Sequence, residues 1–230
     1  MRLFCFPYAG GTAAGFRKWP LGLPPSVEVW AVQYPGRGSR MRESAFTRLA
    51  PLVEATAAAL MPYMDMPFAF FGHSMGAIIG FELARILRRE AGKSPLHLFV
   101  SGRRAPQVID KTDEIYKLPD EKFVEELRRL NGTPNEVLEH EELMQLMLPL
   151  LRADFEAIGN YEYTDEPPLE CPISAFGGLQ DQDVTREHLA AWRAQTTSDF
   201  SLRMMPGDHF FLHAVEPLLL GALAQELAKA

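Results

Sequence analysis

Six short runs of apolar, β-branched and aromatic residues punctuate the chain: Leu3 to Phe6, Val27 to Gln33, Phe68 to Gly72, Leu96 to Ser101, Ile173 to Phe176 and Ser201 to Met205. They are nearly all apolar, the pattern of strands covered on both faces, and longer segments with a helical period separate them. The alternation predicts an α/β fold with a mostly parallel central sheet flanked by helices. Leu52, Val53, Thr56 and Leu60 share one helical face, with Pro51 as the first helical residue, where its missing N–H is not needed; that helix runs to about Met61. A second helix starts after Ser74, carries Ile78, Ile79, Leu83, Ile86 and Leu87, and stops at Gly92, where a left-handed residue is readily adopted by glycine. The last runs from Pro217 to about Lys229.

The alternation breaks between Asp110 and Tyr163. This stretch holds two amphipathic helices and no convincing strand, so it reads as an insertion at about 110–163. Asp120 to Leu130 puts Phe123, Val124, Leu127 and Leu130 on one face; Glu141 to about Ile158 is rich in Leu and Met; Asn131-Gly132-Thr133-Pro134 supplies the turn between them. Two ordinary packing helices would give this pattern. So would a lid over a substrate channel, since Met-rich surfaces adapt to varied ligands.

Composition narrows the setting. A chain of 230 residues with 47% hydrophobic content suffices for one well-buried core, so residues 1–230 are read as a single domain. The net charge of −7 argues against nucleic acid or an anionic membrane as partner. The apolar Met1 to Pro7 is too short for a signal-peptide core, and the Leu/Ala-rich C-terminus is interrupted by Glu216, Pro217, Gln225 and Glu226; a cytoplasmic protein is expected. Cys5 and Cys171 form no disulfide framework and read as buried hydrophobes. With no HExxH, no Cys/His ligand cluster, no Walker loop and no GxGxxG after the first strand, neither a metal nor a cofactor is expected.

Gly72-His73-Ser74-Met75-Gly76 fits G-x-S-x-G and lies between an apolar strand and a helix, the context in which a sharp turn presents a serine at the carboxyl edge of a sheet. A serine hydroxyl needs a base to take its proton and a third group to orient that base. In this fold the chain order is Ser, acid, His. His209 follows the last strand directly in Pro206-Gly207-Asp208-His209-Phe210-Phe211 and is the favoured base; His213 lies deeper, in a helical segment, and reads as packed or capping. His73 reads as shaping the elbow, and Asp208 as a turn former. The acid belongs in Phe176-Gly177-Gly178-Leu179-Gln180-Asp181-Gln182-Asp183-Val184, where Asp181 and Asp183 both qualify. One oxyanion donor is the Met75 N–H, and the other comes from the first loop, Pro7-Tyr8-Ala9-Gly10-Gly11.

Over almost its whole length the chain resembles the type II thioesterases that accompany modular polyketide and nonribosomal peptide synthetases. The likeness rests on Phe6-Pro7-Tyr8-Ala9-Gly10-Gly11, Tyr34-Pro35-Gly36-Arg37, the Ser74 elbow, Asn131-Gly132-Thr133-Pro134, Leu148-Pro149-Leu150-Leu151-Arg152-Ala153-Asp154-Phe155, the Gly177 to Val184 loop and Gly207-Asp208-His209-Phe210-Phe211. The resemblance implies an α/β-hydrolase fold, selects Asp181 as the acid, and puts the oxyanion donors on the backbones of Ala9 and Met75. Such proteins often carry His where this chain has Tyr8, a change at the mouth of the site.

What the resemblance implies about function is release of stalled or wrongly primed acyl groups from the phosphopantetheine arm of acyl or peptidyl carrier proteins, by a stand-alone, monomeric enzyme. The arm belongs to the substrate. Arg37, Arg40 and Arg42, or Arg103 and Arg104, are candidates for a carrier-docking patch on an acidic protein, or else a solvated basic surface. Rival readings are a medium-chain fatty acyl or chain-releasing thioesterase, a general carboxylesterase, and a binding module without catalysis.

Overall fold

The computed structural model describes residues 1–108, 111–132 and 140–229. In chain order it contains β1 (Arg2–Phe6), β2 (Glu28–Ala31), α1 (Leu49–Leu60), β3 (Phe68–His73), α2 (Met75–Ala91), β4 (Leu98–Ser101), α3 (Asp120–Leu130), α4 (Glu141–Gly159), β5 (Ile173–Gly178), α5 (Arg186–Ala190), β6 (Phe200–Met205), α6 (Phe211–Ala214) and α7 (Glu216–Leu227), with short 3₁₀ turns between them. The strands form one sheet in the order β2-β1-β3-β4-β5-β6, and each of these pairs is parallel.

Side chains alternate along a strand, so the unbroken apolar runs feed two cores. Phe4, Phe6 and Phe70 enter one, with α1 and α2; Leu3, Cys5, Ala69 and Phe71 enter the other, with Phe16, Trp19 and the apolar face of α7. Burial on both faces fails at the two ends of the sheet. Glu28 and Ala31 of β2 are exposed and β6 is half-buried as far as Met204, because an edge strand has cover on fewer sides.

The helices follow from local chemistry. The first, α1, begins at Leu49, two residues before the start expected from Pro51; the proline is the third helical residue, whose N–H equally lacks an intrahelical acceptor. Gly92 closes α2 at φ 58°, its N–H donating to the Leu87 carbonyl. Asn131 closes α3 at the same φ, while Thr133 and Pro134 of the expected turn lie outside the described residues. Phe123 and Leu127 of α3 pack on Met144 and Leu151 of α4 in a small cluster of their own.

Two consequences matter for function. With β1 between β2 and β3, the strand order reverses at β1/β3, the switch point whose carboxyl edge opens a crevice in such sheets. Among the described residues, no helix is long and apolar enough to cross a membrane.

Candidate active site

Two loops leave the sheet side by side at that crevice, Tyr8–Gly11 after β1 and the Ser74 turn after β3; Phe6 and Gly72 pair directly across the strands. Ser74 takes φ 52° and ψ −116°, a backbone strain that persists only where its surroundings over-determine it. Here the Ser74 N–H donates to the Ser101 carbonyl at 2.8 Å. A side chain on Gly72 would run into the Gly76 backbone, and one on Gly76 into the Phe6 carbonyl. The two glycines of G-x-S-x-G are therefore steric requirements of the turn. Met75 opens α2, so its N–H has no intrahelical acceptor and faces the helix N-terminus.

His209 stands on the loop after β6, and its Nδ1 donates to Asp181 Oδ2 at 2.7 Å. Asp181 Oδ1 accepts from the backbone N–H groups of Asp183, 2.9 Å, and Val184, 3.1 Å. Burial pushes the Asp181 carboxyl up, but the His209 ring and those two N–H groups outweigh it and hold it below the usual carboxylate range. Asp181 is thus an ionised acceptor with 1% of its side chain exposed. Asp183 borders the same cavity as Ser74 but is engaged by Arg129, whose Nη1 lies 3.0 Å from both its oxygens. Of the two aspartates left open by the loop's spacing, the fold brings Asp181 to His209.

Ser74 and His209 line one narrow cavity of about 90 Å³ together with Tyr8, Ala9, Gly102, Ile115, Leu130, Phe155 and Phe210. His73 lies beneath it, fully buried, with Nδ1 2.9 Å from Ser101 Oγ and its ring 5.2 Å from that of His209. Burial holds the His73 pKa well below the ordinary histidine value, and repulsion from His209 and His213 adds to this against a weaker contact with the His209 backbone. It is a neutral support for the elbow, as expected. His213, in α6, bonds to the Tyr8 hydroxyl at 3.1 Å, and the Tyr8 ring meets Phe210 edge-on at 4.8 Å. His97 is bonded to Ser174, His140 caps α4, and His188 completes a capping box with Thr185, so these three serve local structure. Asp208 is the turn former expected, its Oδ1 accepting from the Phe210 N–H.

The proposed docking arginines need correction. Arg37 is 3% exposed and bonds Asp154 of α4 through Nη1 and Nη2 at 2.6 and 2.7 Å. Arg104 is buried and Arg103 half-buried, so that pair offers no open basic surface. Arg40 is tied to Glu43, which leaves Arg42 as the exposed member of its group. Two features have partners that the spacing of the sequence does not assign. One is Asp154 itself, a lone acid among buried Leu151, Ala157 and Ile158, a position that demands a cationic partner. The other is the end of α3, where Arg129 holds Asp183, Asn131 Nδ2 donates to Asp208 Oδ2 at 2.8 Å, and Gly132 lies so close to the Phe210 ring that a side chain there would strike it. The insertion therefore touches the loops that carry both Asp181 and His209. Among the described residues, no cluster of His, Cys, Asp or Glu is placed to hold a metal ion.

A family model described as a thioesterase domain matches residues 1–228. The gramicidin S biosynthesis protein GrsT of Aneurinibacillus migulanus is 49% identical over 99% of this chain and 89% of its own length. Among solved structures, RedJ, a thioesterase from the prodiginine biosynthetic pathway of Streptomyces coelicolor, superimposes with a TM-score of 0.92 at 42% identity, covering 98% of this chain and 85% of RedJ. The type II thioesterase BorB from the borrelidin biosynthetic cluster gives 0.90 at 39% identity, over 98% of this chain and 92% of BorB. The strained serine turn, the parallel sheet and these likenesses converge: the chain belongs to the thioesterase family, with the α/β-hydrolase fold, and is a hydrolase of acyl thioesters.

Proposed function

We propose that the chain is a stand-alone type II thioesterase that clears stalled or wrongly primed acyl groups from the phosphopantetheine arm of acyl or peptidyl carrier proteins in the cytoplasm, with α3 and α4 as a lid. Ser74 is the nucleophile, His209 the general base and Asp181 the acid that orients it. The observation that carries this reading is the 2.7 Å bond from His209 to a buried, ionised Asp181, with His209 facing the same cavity as Ser74.

His209 Nε2 takes the Ser74 proton as Oγ attacks the thioester carbonyl, and the N–H groups of Ala9 and Met75 receive the oxyanion. Collapse breaks the C–S bond and His209 returns the proton to the departing sulfur. Water, deprotonated by the same ring, attacks the acyl-enzyme; the acid leaves and Ser74 regains its proton. A thiolate departs more readily than an alkoxide or an amine, so the leaving group demands little acid help.

The test compares wild type, Ser74→Ala, Asp181→Asn and Asp183→Asn on an acyl-carrier protein, a small acyl thioester and its oxygen ester. Ser74→Ala should lose about 10⁴-fold or more in kcat and Asp181→Asn about 10²-fold or more, with Asp183→Asn within about 3-fold of wild type. An Asp183→Asn loss exceeding that of Asp181→Asn overturns the acid assignment. Preference for the oxygen ester favours the carboxylesterase reading instead.

A further inference from the structure

The turn after β1 is braced from outside itself. Its Gly11 N–H donates to the Tyr8 carbonyl at 2.8 Å, and Gly10 takes φ +75°, the left-handed third position of a type II turn. The Gly10 N–H donates to Asp154 Oδ2 at 2.7 Å, and the Gly11 carbonyl accepts from Arg37 Nη1 at 3.4 Å. Asp154 comes from α4 and Arg37 from the loop after β2; their side chains are 1% and 3% exposed and joined by two bonds. A buried ion pair is a poor stabiliser, since an apolar pair of similar volume often does as well or better. A turn with two successive glycines is also intrinsically soft, yet it carries the N–H that must meet a developing charge.

We propose that Asp154 and Arg37 are positioning residues: they fix the Tyr8–Gly11 turn so that the Ala9 N–H is aimed at the oxyanion, and they make that aim depend on the seating of α4. The inference rests on the Ser74 reading above. Gly10 cannot acquire stiffness from a side chain, because its φ is left-handed and the space beside it is filled by Leu151. Gly11 is closed in by the Tyr8 carbonyl and Pro7. Stiffness has to be supplied from elsewhere, and the carboxylate of Asp154 grips the amide next to Ala9.

The experiment uses two paired substitutions, Arg37→Met with Asp154→Leu, and Arg37→Met with Asp154→Asn. Leu and Asn are close in size and shape, and both pairs remove the buried charges; the Asn pair alone keeps an oxygen for the Gly10 N–H. Activity on a small acyl thioester is normalised to the Ser74 labelled at completion by a fluorophosphonate, alongside thermal melting. The Leu pair should fold and label fully, with kcat about 10²-fold down and KM within about 3-fold, the signature of a transition-state group displaced by a fraction of an ångström. The Asn pair should recover at least about 10-fold of that loss. Equal kcat in the two pairs, wild-type kcat in the Leu pair, or failure of either pair to fold would make the site a stability element and overturn the proposal. Absence of Ser74 labelling in wild type would sink the nucleophile reading instead, which keeps the two failures apart.

Discussion

At the scale of single residues, Ser74 shows how a pentapeptide becomes a geometry. Its φ of 52° is tolerated because Gly72 and Gly76 let three backbone segments come within contact distance of one another and because the Ser101 carbonyl holds its N–H. Gly76→Ala forces a methyl group against the Phe6 carbonyl, with no flexible side chain to yield. It should lower stability by about 1–3 kcal/mol or more and slow Ser74 labelling by a fluorophosphonate, read by denaturant melts and labelling rates. Gly221 in α7 is the contrasting case, since a side chain there meets open space. Gly221→Ala should raise stability by about 0.5–1 kcal/mol through helix propensity, with labelling unchanged. A loss at Gly221 matching that at Gly76 would show that composition, not close approach, sets the requirement. Asp181 and Asp183 illustrate what stays hidden at this scale: two residues of one acid type in one irregular loop carry no periodic signal, and only the fold sends one to His209 and the other to Arg129.

At the scale of elements, the central strands and the main helices were legible because their partners are generic. An apolar face packs against any apolar face, so the period alone places α2, α3 and α4 to within a residue or two. Polar partners are specific, and sequence spacing does not encode them. Arg37 looks like surface charge until Asp154, 117 residues on, is brought beside it. Edge position escaped for the same reason, because β2 and β6 read like the central strands while lacking a neighbour on one side. The insertion joins the main core through Ile158 but also holds a cluster of its own. Phe123 is fully buried, edge-on to Phe155 at 5.6 Å and beneath the Arg152 guanidinium at 4.6 Å, in a cluster separate from both main cores. Phe123→Ala should remove about 3–5 kcal/mol from the local stability of α3 and α4. Amide exchange should accelerate there while β1 and β3 keep their protection. Uniform acceleration across the sheet would contradict a separately packed cluster. The Arg129–Asp183 contact between α3 and the loop after β5, with both partners a third or more exposed, contributes less than about 1 kcal/mol, so its removal should leave the melt nearly unmoved.

For the whole molecule, two charge effects oppose each other as pH falls, and their signs separate them. The net charge of −7 vanishes near pH 5.4, and losing that self-repulsion favours the compact state. Burial of histidines acts the other way. Desolvation lowers the pKa of His73 well below its usual value and that of His213 as well, and brings His97, bonded to Ser174, down to about 4. Each of these rings is neutral in the fold and gains a proton more readily in the unfolded chain. Their contribution is therefore complete above about pH 6.5 and is lost as pH falls towards the depressed folded values. Asp181, held below the usual carboxylate range chiefly by His209 against its own burial, adds a loss of the same sign lower in the acid range. For His97 the shift corresponds to about 3 kcal/mol between pH 7 and pH 4. Denaturant melts should therefore show stability dropping from pH 7 to pH 4.5 in spite of the approach to the isoelectric point, and His97→Gln, which cannot titrate, should show a shallower fall. Identical slopes in the two proteins would mean that His97 is charged in the fold and would assign the acid sensitivity to other groups.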